Sequence, residues 1–145
     1  MQSNKRYPTS EAEESLRRFE FETLAERSRR DLLASAAEEL LDQIRTLAGS
    51  PRDDGDPTGV TWRMPNRRSP IHVAIDQPPA VRVEPLDAQG VPVAVSARTV
   101  ALEFNPITER FESTEDEPFT APGRRPVKRN ALTVIVETCI AAARG

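Results

Sequence analysis

The sequence predicts an α+β fold: an antiparallel meander sheet of four to six strands, with a long N-terminal helix and a C-terminal helix packed on one face. Three observations carry this. No proline or glycine interrupts the chain from Ser10 to Ala48. Short alternating runs follow, each closed by turn residues. The tail then places its apolar residues on one side at helical spacing.

The helix comes first. Residues 1–9 read as a disordered lead, and Ser10-Glu11-Ala12-Glu13 matches a capping box. Gly49 supplies the stop. A helix of about 38 residues is ~57 Å long, whereas a compact domain of this size has a radius of gyration near ~15 Å. Such a helix either breaks or projects toward a partner. Leu33, Ala37, Leu40, Ile44 and Leu47 form one stripe, widened by Ala36 and Leu41. Before Leu33 the stripe loses phase, and Leu16, Phe19, Phe21 and Leu24 stand among Glu and Arg. Residues 26–31 hold no large apolar side chain, so a break, if the helix has one, falls near 28–31, where Ser28 and Asp31 are able to cap a second helix. The domain reading is therefore a lead at 1–9, a helical arm at 10–30 and one α+β domain at 31–145.

Ser50 to Gly59 reads as a loop. Its aspartates do not fit an EF-hand, which needs a mid-loop glycine and a glutamate at position twelve; counted from Asp54, that position is Pro65.

The strands follow in order. Val60, Trp62 and Met64 alternate with polar residues, as do Ile71, Val73 and Ile75, and then Val81 and Val83. Asp76-Gln77-Pro78-Pro79 and Asp87-Ala88-Gln89-Gly90 have turn chemistry. Val91–Phe104 is the most β-like stretch. Its apolar parity changes between Val95 and Val100, so a bulge or turn belongs at Ser96–Thr99. Asn105-Pro106-Ile107-Thr108 closes a hairpin in which Glu103 faces Arg110 and Leu102 faces Phe111. Residues 115–123 form an acidic, proline-bearing loop.

Pro126–Arg144 reads as the terminal helix, starting near Val127, although Thr133–Val136 is β-branched. Leu132, Ile135, Val136, Cys139, Ile140 and Ala143 share one side. Arg124, Arg125, Lys128 and Arg129 then crowd the helix start, where the positive dipole end favours acids. That cluster is the anion-binding candidate. Its anion is either the chain's own Glu115-Asp116-Glu117 or a phosphate or acidic patch on a partner.

Composition narrows the function. The 145 residues carry 20 basic and 23 acidic groups, a net charge of −3. No third of the chain is a basic arm or an acidic tail. All but Lys5 and Lys128 of the basic residues are arginine, a bias that needs no phosphate ligand to explain it. One cysteine, Cys139, and one histidine, His72, leave no intrachain disulfide and no zinc site of the usual kind. His72 belongs to the polar face of its strand and Cys139 to the apolar side of the last helix, so neither reads as catalytic. Nucleotide, hydrolase and metalloprotease motifs are missing, so no enzyme activity, cofactor or metal is expected. The N-terminus has no signal-peptide core and no apolar run is long enough to span a bilayer, which predicts a soluble cytosolic or phage-encoded protein without a membrane partner.

The expected function is a non-enzymatic interaction or assembly subunit of a larger complex. It would associate through Leu16, Phe19, Phe21 and Leu24, with another protein or its own copies as partner. The alternative is a nucleic-acid-binding accessory protein using arginine-rich loops: Arg124–Arg129, and Arg67-Arg68 beside Trp62-Arg63. A tryptophan beside arginines can stack bases, but its alternation with Val60 and Met64 places Trp62 in the core.

Overall fold

The structure, a computed structural model, describes residues 7–49, 59–76, 79–119 and 121–144. Helix α1 spans Tyr7–Ala48 and helix α2 Ala131–Arg144. Between them come β1 (Gly59–Trp62), β2 (Ile71–Asp76), β3 (Ala80–Pro85), β4 (Arg98–Asn105) and β5 (Arg110–Ser113). The five strands pair in chain order, every pair antiparallel. This is the α+β meander with N- and C-terminal helices that the sequence predicts. By contacts the chain divides into two compact units, residues 1–35 and 36–145.

Helix α1 differs from expectation at its start. It is already helical at Tyr7, so Ser10 lies within it rather than capping it, and it runs unbroken through 28–31. Ser28 and Asp31 are compatible with a helix interior, at a small cost in propensity that the good helix formers around them offset. Residues 1–6, the aspartate-rich loop at 50–58 and the centre of the Asp76–Pro79 turn lie outside the described residues. The stop comes where expected: Gly49 takes φ +69°, and its N–H donates to the Thr46 carbonyl at 3.3 Å.

In the 36–145 unit, Val60, Ile71, Val73, Val81, Val83, Val100, Leu102 and Phe111 are buried, and the register places them on one sheet face. The two helices add Ala36, Leu40, Leu41 and Ile44 from α1, and Ala131, Val134, Ile135, Cys139 and Ala142 from α2. On α1, burial follows the i+4 ridges Ala36–Leu40–Ile44 and Leu41–Arg45, while Leu47 is half exposed. Ridges of this spacing are inclined to the helix axis, so the contact line leaves the four-three stripe before Leu47. On α2 the buried arc is rotated by about one residue from the expected side. Val134 and the small Ala131 and Ala142 are buried; Ile140 stays partly exposed.

The ribbon from Val91 to Phe104 is a strand only in its second half. Val91 and Val95 are exposed, and Ala94–Ser96 form a 3-10 turn. Pro92 makes one isolated bridge to Leu86. The cause is the turn at Asp87, whose Oδ1 accepts the N–H groups of Gln89 and Val91, both at 2.9 Å. Gly90, at φ +80°, closes it by donating to the Asp87 carbonyl at 3.0 Å. This tight return pairs 91–93 with the end of β3, and the chain must turn again before β4.

The β4–β5 hairpin is also paired differently. Leu102 lies opposite Ser113, Glu103 opposite Glu112, Phe104 opposite Phe111 and Asn105 opposite Arg110. The partner shifts by two residues because the loop is Pro106–Glu109. Asn105 Oδ1 accepts the N–H of Ile107 at 2.9 Å, the Glu109 N–H donates to the Asn105 carbonyl at 2.8 Å, and Glu109 takes φ 57°. A shift of two keeps every side chain on its face, so Leu102 and Phe111 remain buried. Phe104 and Phe111 now meet edge to face, centroids 6.0 Å apart, an arrangement worth about 0.5–1.5 kcal/mol beyond area. Arg110 pairs with Glu39 of α1 at 3.2 Å instead of with Glu103.

Phe111→Ala is expected to cost about 3–5 kcal/mol in denaturant unfolding, as a large-to-small core change. Glu103→Ala, on the exposed face, is expected to stay within about 0.5 kcal/mol. Similar small losses for both would show that Phe111 is not a core residue.

Candidate association surface and basic cluster

Leu16, Phe19, Phe21 and Leu24 all lie on α1, and each is between 57% and 73% exposed. At 100° per residue, Phe19 and Leu24 lie about 60° and 80° to either side of Leu16, and Phe21 lies about 60° beyond Leu24. Phe19, Glu20, Thr23, Leu24 and Arg27 line a shallow depression. The local helix is supported by a Glu13–Arg17 ion pair at 3.8 Å and by Thr23, whose hydroxyl donates to the Phe19 carbonyl at 2.8 Å. Neither interaction covers the apolar side chains.

The basic cluster does not sit on a helix start at Val127. Helix α2 begins at Ala131 and Asn130 caps it: the Thr133 N–H donates to Asn130 Oδ1 at 3.2 Å. The basic residues precede it in extended chain that lies along the continuation of β5. The Glu117 N–H donates to the Val127 carbonyl at 2.6 Å, Arg129 N–H to the Glu115 carbonyl at 2.8 Å, and Ser113 N–H to the Arg129 carbonyl at 3.3 Å. Asp116 and Lys128 form the bridge between them. The acidic and basic segments therefore pair through their backbones as a short ladder.

Side chains follow the backbone. Lys128 Nζ lies 3.0 Å from Asp116, and Arg129 lies 3.4 Å from Glu115 and 2.8 Å from Glu137 on α2. The hydrogen bond that Lys128 donates to Asp116 is the main cause that raises the Lys128 pKa, and the field of Asp116, Glu103 and Glu112 adds to it. Arg129, hydrogen-bonded to Glu137, holds that carboxyl below its ordinary range. Arg124 and Arg125 are exposed and make no ion pair among the described residues. They share the loop with Phe119, which is 84% exposed. Sequence reading passed over Phe119; its place between Pro118 and the Pro122 turn was the available signal.

The second basic cluster is divided too. Arg67 donates from one Nη1 to the carbonyls of Ser69 at 2.5 Å and Leu86 at 3.1 Å, with a longer contact to Pro70. It ties the β1–β2 loop to the end of β3. Trp62 is half buried, while Arg63 and Arg68 are exposed.

The remaining chemical groups are held in structural contacts. On the outer sheet face Arg82 pairs with Glu84 at 2.6 Å and with Asp76, and Glu84 lies 3.9 Å from His72 Nδ1. The Glu84 hydrogen bond is the largest cause that raises the Arg82 pKa. Cys139 is buried, and burial pushes its thiol up to about 12, so it is protonated and a poor nucleophile at neutral pH. Among the described residues no three His, Cys, Asp or Glu side chains are grouped to hold a metal, and no helix is long and apolar enough to cross a membrane.

Replacing Arg129 tests the intramolecular pairing. Glu137 has a lowered pKa in the folded chain, so its contribution is fully present above the unfolded value, about 4.3, and is lost as pH falls through the folded one. Arg129→Gln is therefore expected to lower the thermal midpoint at pH 7, and the gap to the parent should close on acidification below pH 4. Arg125→Gln should leave the midpoint unchanged at both. A pH-independent gap for Arg129→Gln would mean that the pair with Glu137 does not stabilise the fold.

No protein-family model matches the chain, and neither a curated protein nor a solved structure matches it.

Proposed function

We propose that this protein is a non-enzymatic assembly subunit that associates with a protein partner through the N-terminal part of α1. The observation that supports this is the exposure of Leu16, Phe19, Phe21 and Leu24 on a helix otherwise rich in charge. Apolar groups of this size, clustered on a surface, mark a contact site more often than isolated ones do. Fully burying an exposed Leu or Phe side chain yields about 1.5–3 kcal/mol; these four are already partly covered and spread around the helix, so one contact gains less than the roughly 6–12 kcal/mol of four full burials. Association costs an estimated ~4–15 kcal/mol in lost freedom. These four residues suffice only if the partner contributes apolar surface of its own.

Nucleic-acid binding through the arginine-rich loops has less support. It needs a concentrated cationic surface. Lys128, Arg129 and Arg67 are engaged within the chain, which leaves Arg124, Arg125, Arg63 and Arg68 for an outside anion.

Changing Leu16, Phe19, Phe21 and Leu24 together to serine tests the proposal. Isolated from its native source, the altered protein should run at a lower mass in solution and lose its co-purifying partner chains. Its urea unfolding midpoint, read in the 36–145 unit through Trp62 fluorescence, should be unchanged. A large fall in that midpoint would place these residues in the core and end the association reading. So would retention of the full complex.

A further inference from the structure

We propose that the chain occupying this helix face is a second copy of the same protein, running antiparallel to the first. The inference rests on the association reading above and adds the partner's identity. The shared face is Leu16, Phe19, Glu20, Thr23, Leu24 and Arg27, five of which line one depression. The spacing of these positions is the same read backwards, although only Phe19 and Leu24 exchange like for like. Reversal about a point between residues 21 and 22 exchanges Phe19 with Leu24, Glu20 with Thr23 and Leu16 with Arg27. A two-fold axis there lets one surface pair with itself, as closed dimers require. Phe19 of each copy then comes level with Leu24 of the other, and the partner adds the apolar surface that one chain lacks.

Charge selects the direction. Residues 11–26 hold six glutamates and two arginines, and 27–30 hold Arg27, Arg29 and Arg30 with no acid. In a parallel pair each arginine block lies beside its own copy, and like charges at that spacing repel. Reversed, the block comes level with the stretch containing Glu13 and Glu14 of the other chain, and Arg17 comes level with Glu26. Arg27 sits at the end of the apolar face, where its methylenes can cover Leu16 while its charged head stays in water. The contact also needs no change in the helix, which is already formed through these residues.

Sedimentation equilibrium of the purified full chain, joined to thiol cross-linking, tests this. Cys139 is buried, so the parent gives no cross-link with a short bismaleimide and serves as the background. Ala12→Cys and Asp31→Cys, which come level in the reversed pair, both alter exposed positions and leave the arginine block and its glutamates in place. The expected result is a dimer mass and a cross-link when the two variants are mixed, with little from either alone. Phe19→Ser, which removes the side chain from both halves of the contact, should weaken the dimer roughly a hundredfold or more. A cross-link from each variant alone would establish a parallel pair and overturn the proposal. A monomer at every concentration would also overturn it. In that case the association reading survives if the serine-substituted protein still loses its native complex, and falls with it if that complex is retained.

Discussion

The single apolar face of the five-stranded sheet is the constraint on which the 36–145 unit depends. Val60, Val73 and Val83 stand abreast across β1, β2 and β3, and Val81 stands beside Val100 across β3 and β4. Side chains alternate along a strand, so a slip of one residue anywhere in this array would send a whole row into water. Helix α2 packs over β3, β4 and β5, and Ala36, Leu40, Leu41 and Ile44 of α1 are buried along with Ala131, Val134, Ile135, Cys139 and Ala142 of α2. On the other face the same alternation gathers His72, Asp76, Arg82 and Glu84 in a partly exposed network in which Arg82 pairs with both carboxylates.

A second layer of organisation is electrostatic and follows from where β5 ends. Beyond Ser113 the chain continues as an acidic segment, and Val127–Arg129 lie against it through three backbone hydrogen bonds and one isolated bridge. Backbone pairing brings Lys128 to Asp116 and Arg129 to Glu115 before any side-chain attraction is counted. Arg129 then reaches Glu137 and links this edge to α2. Exposed ion pairs contribute little singly. Here three share two cations and sit on a ladder that already fixes their geometry, which lowers the entropy each one must lose. The result is that two of the four cations of the basic cluster, Lys128 and Arg129, are engaged inside the fold. The exposed apolar side chains of α1 have no comparable internal use among the described residues, and that contrast is why association, rather than anion binding, is the function proposed.

What the sequence determined by itself is whatever depends on local period. The faces of Val60, Val73, Val81, Val83 and Val100, the stop at Gly49 and the turn from Asp87 to Gly90 were legible because each follows from a few neighbouring residues. The helical tail was legible too, since the spacing of Ile135 and Cys139 outweighed the β-branched run. Tertiary structure decided the rest. It moved the Phe111 partner from Leu102 to Phe104, because the loop closes on Asn105 with Glu109 in a left-handed conformation, and a two-residue shift leaves the hydrophobic pattern unchanged. It turned α2 toward Ala131 and Ala142, where bulk predicted Ile140, because contact is settled by how closely surfaces approach and not by hydrophobicity alone. It reduced Val91–Val95 to one bridge, and gave Lys128 and Arg129 to the acids of the chain's own loop. In each case the deciding partner lies elsewhere in the chain, and periodicity within one segment carries no information about which distant segment it will meet.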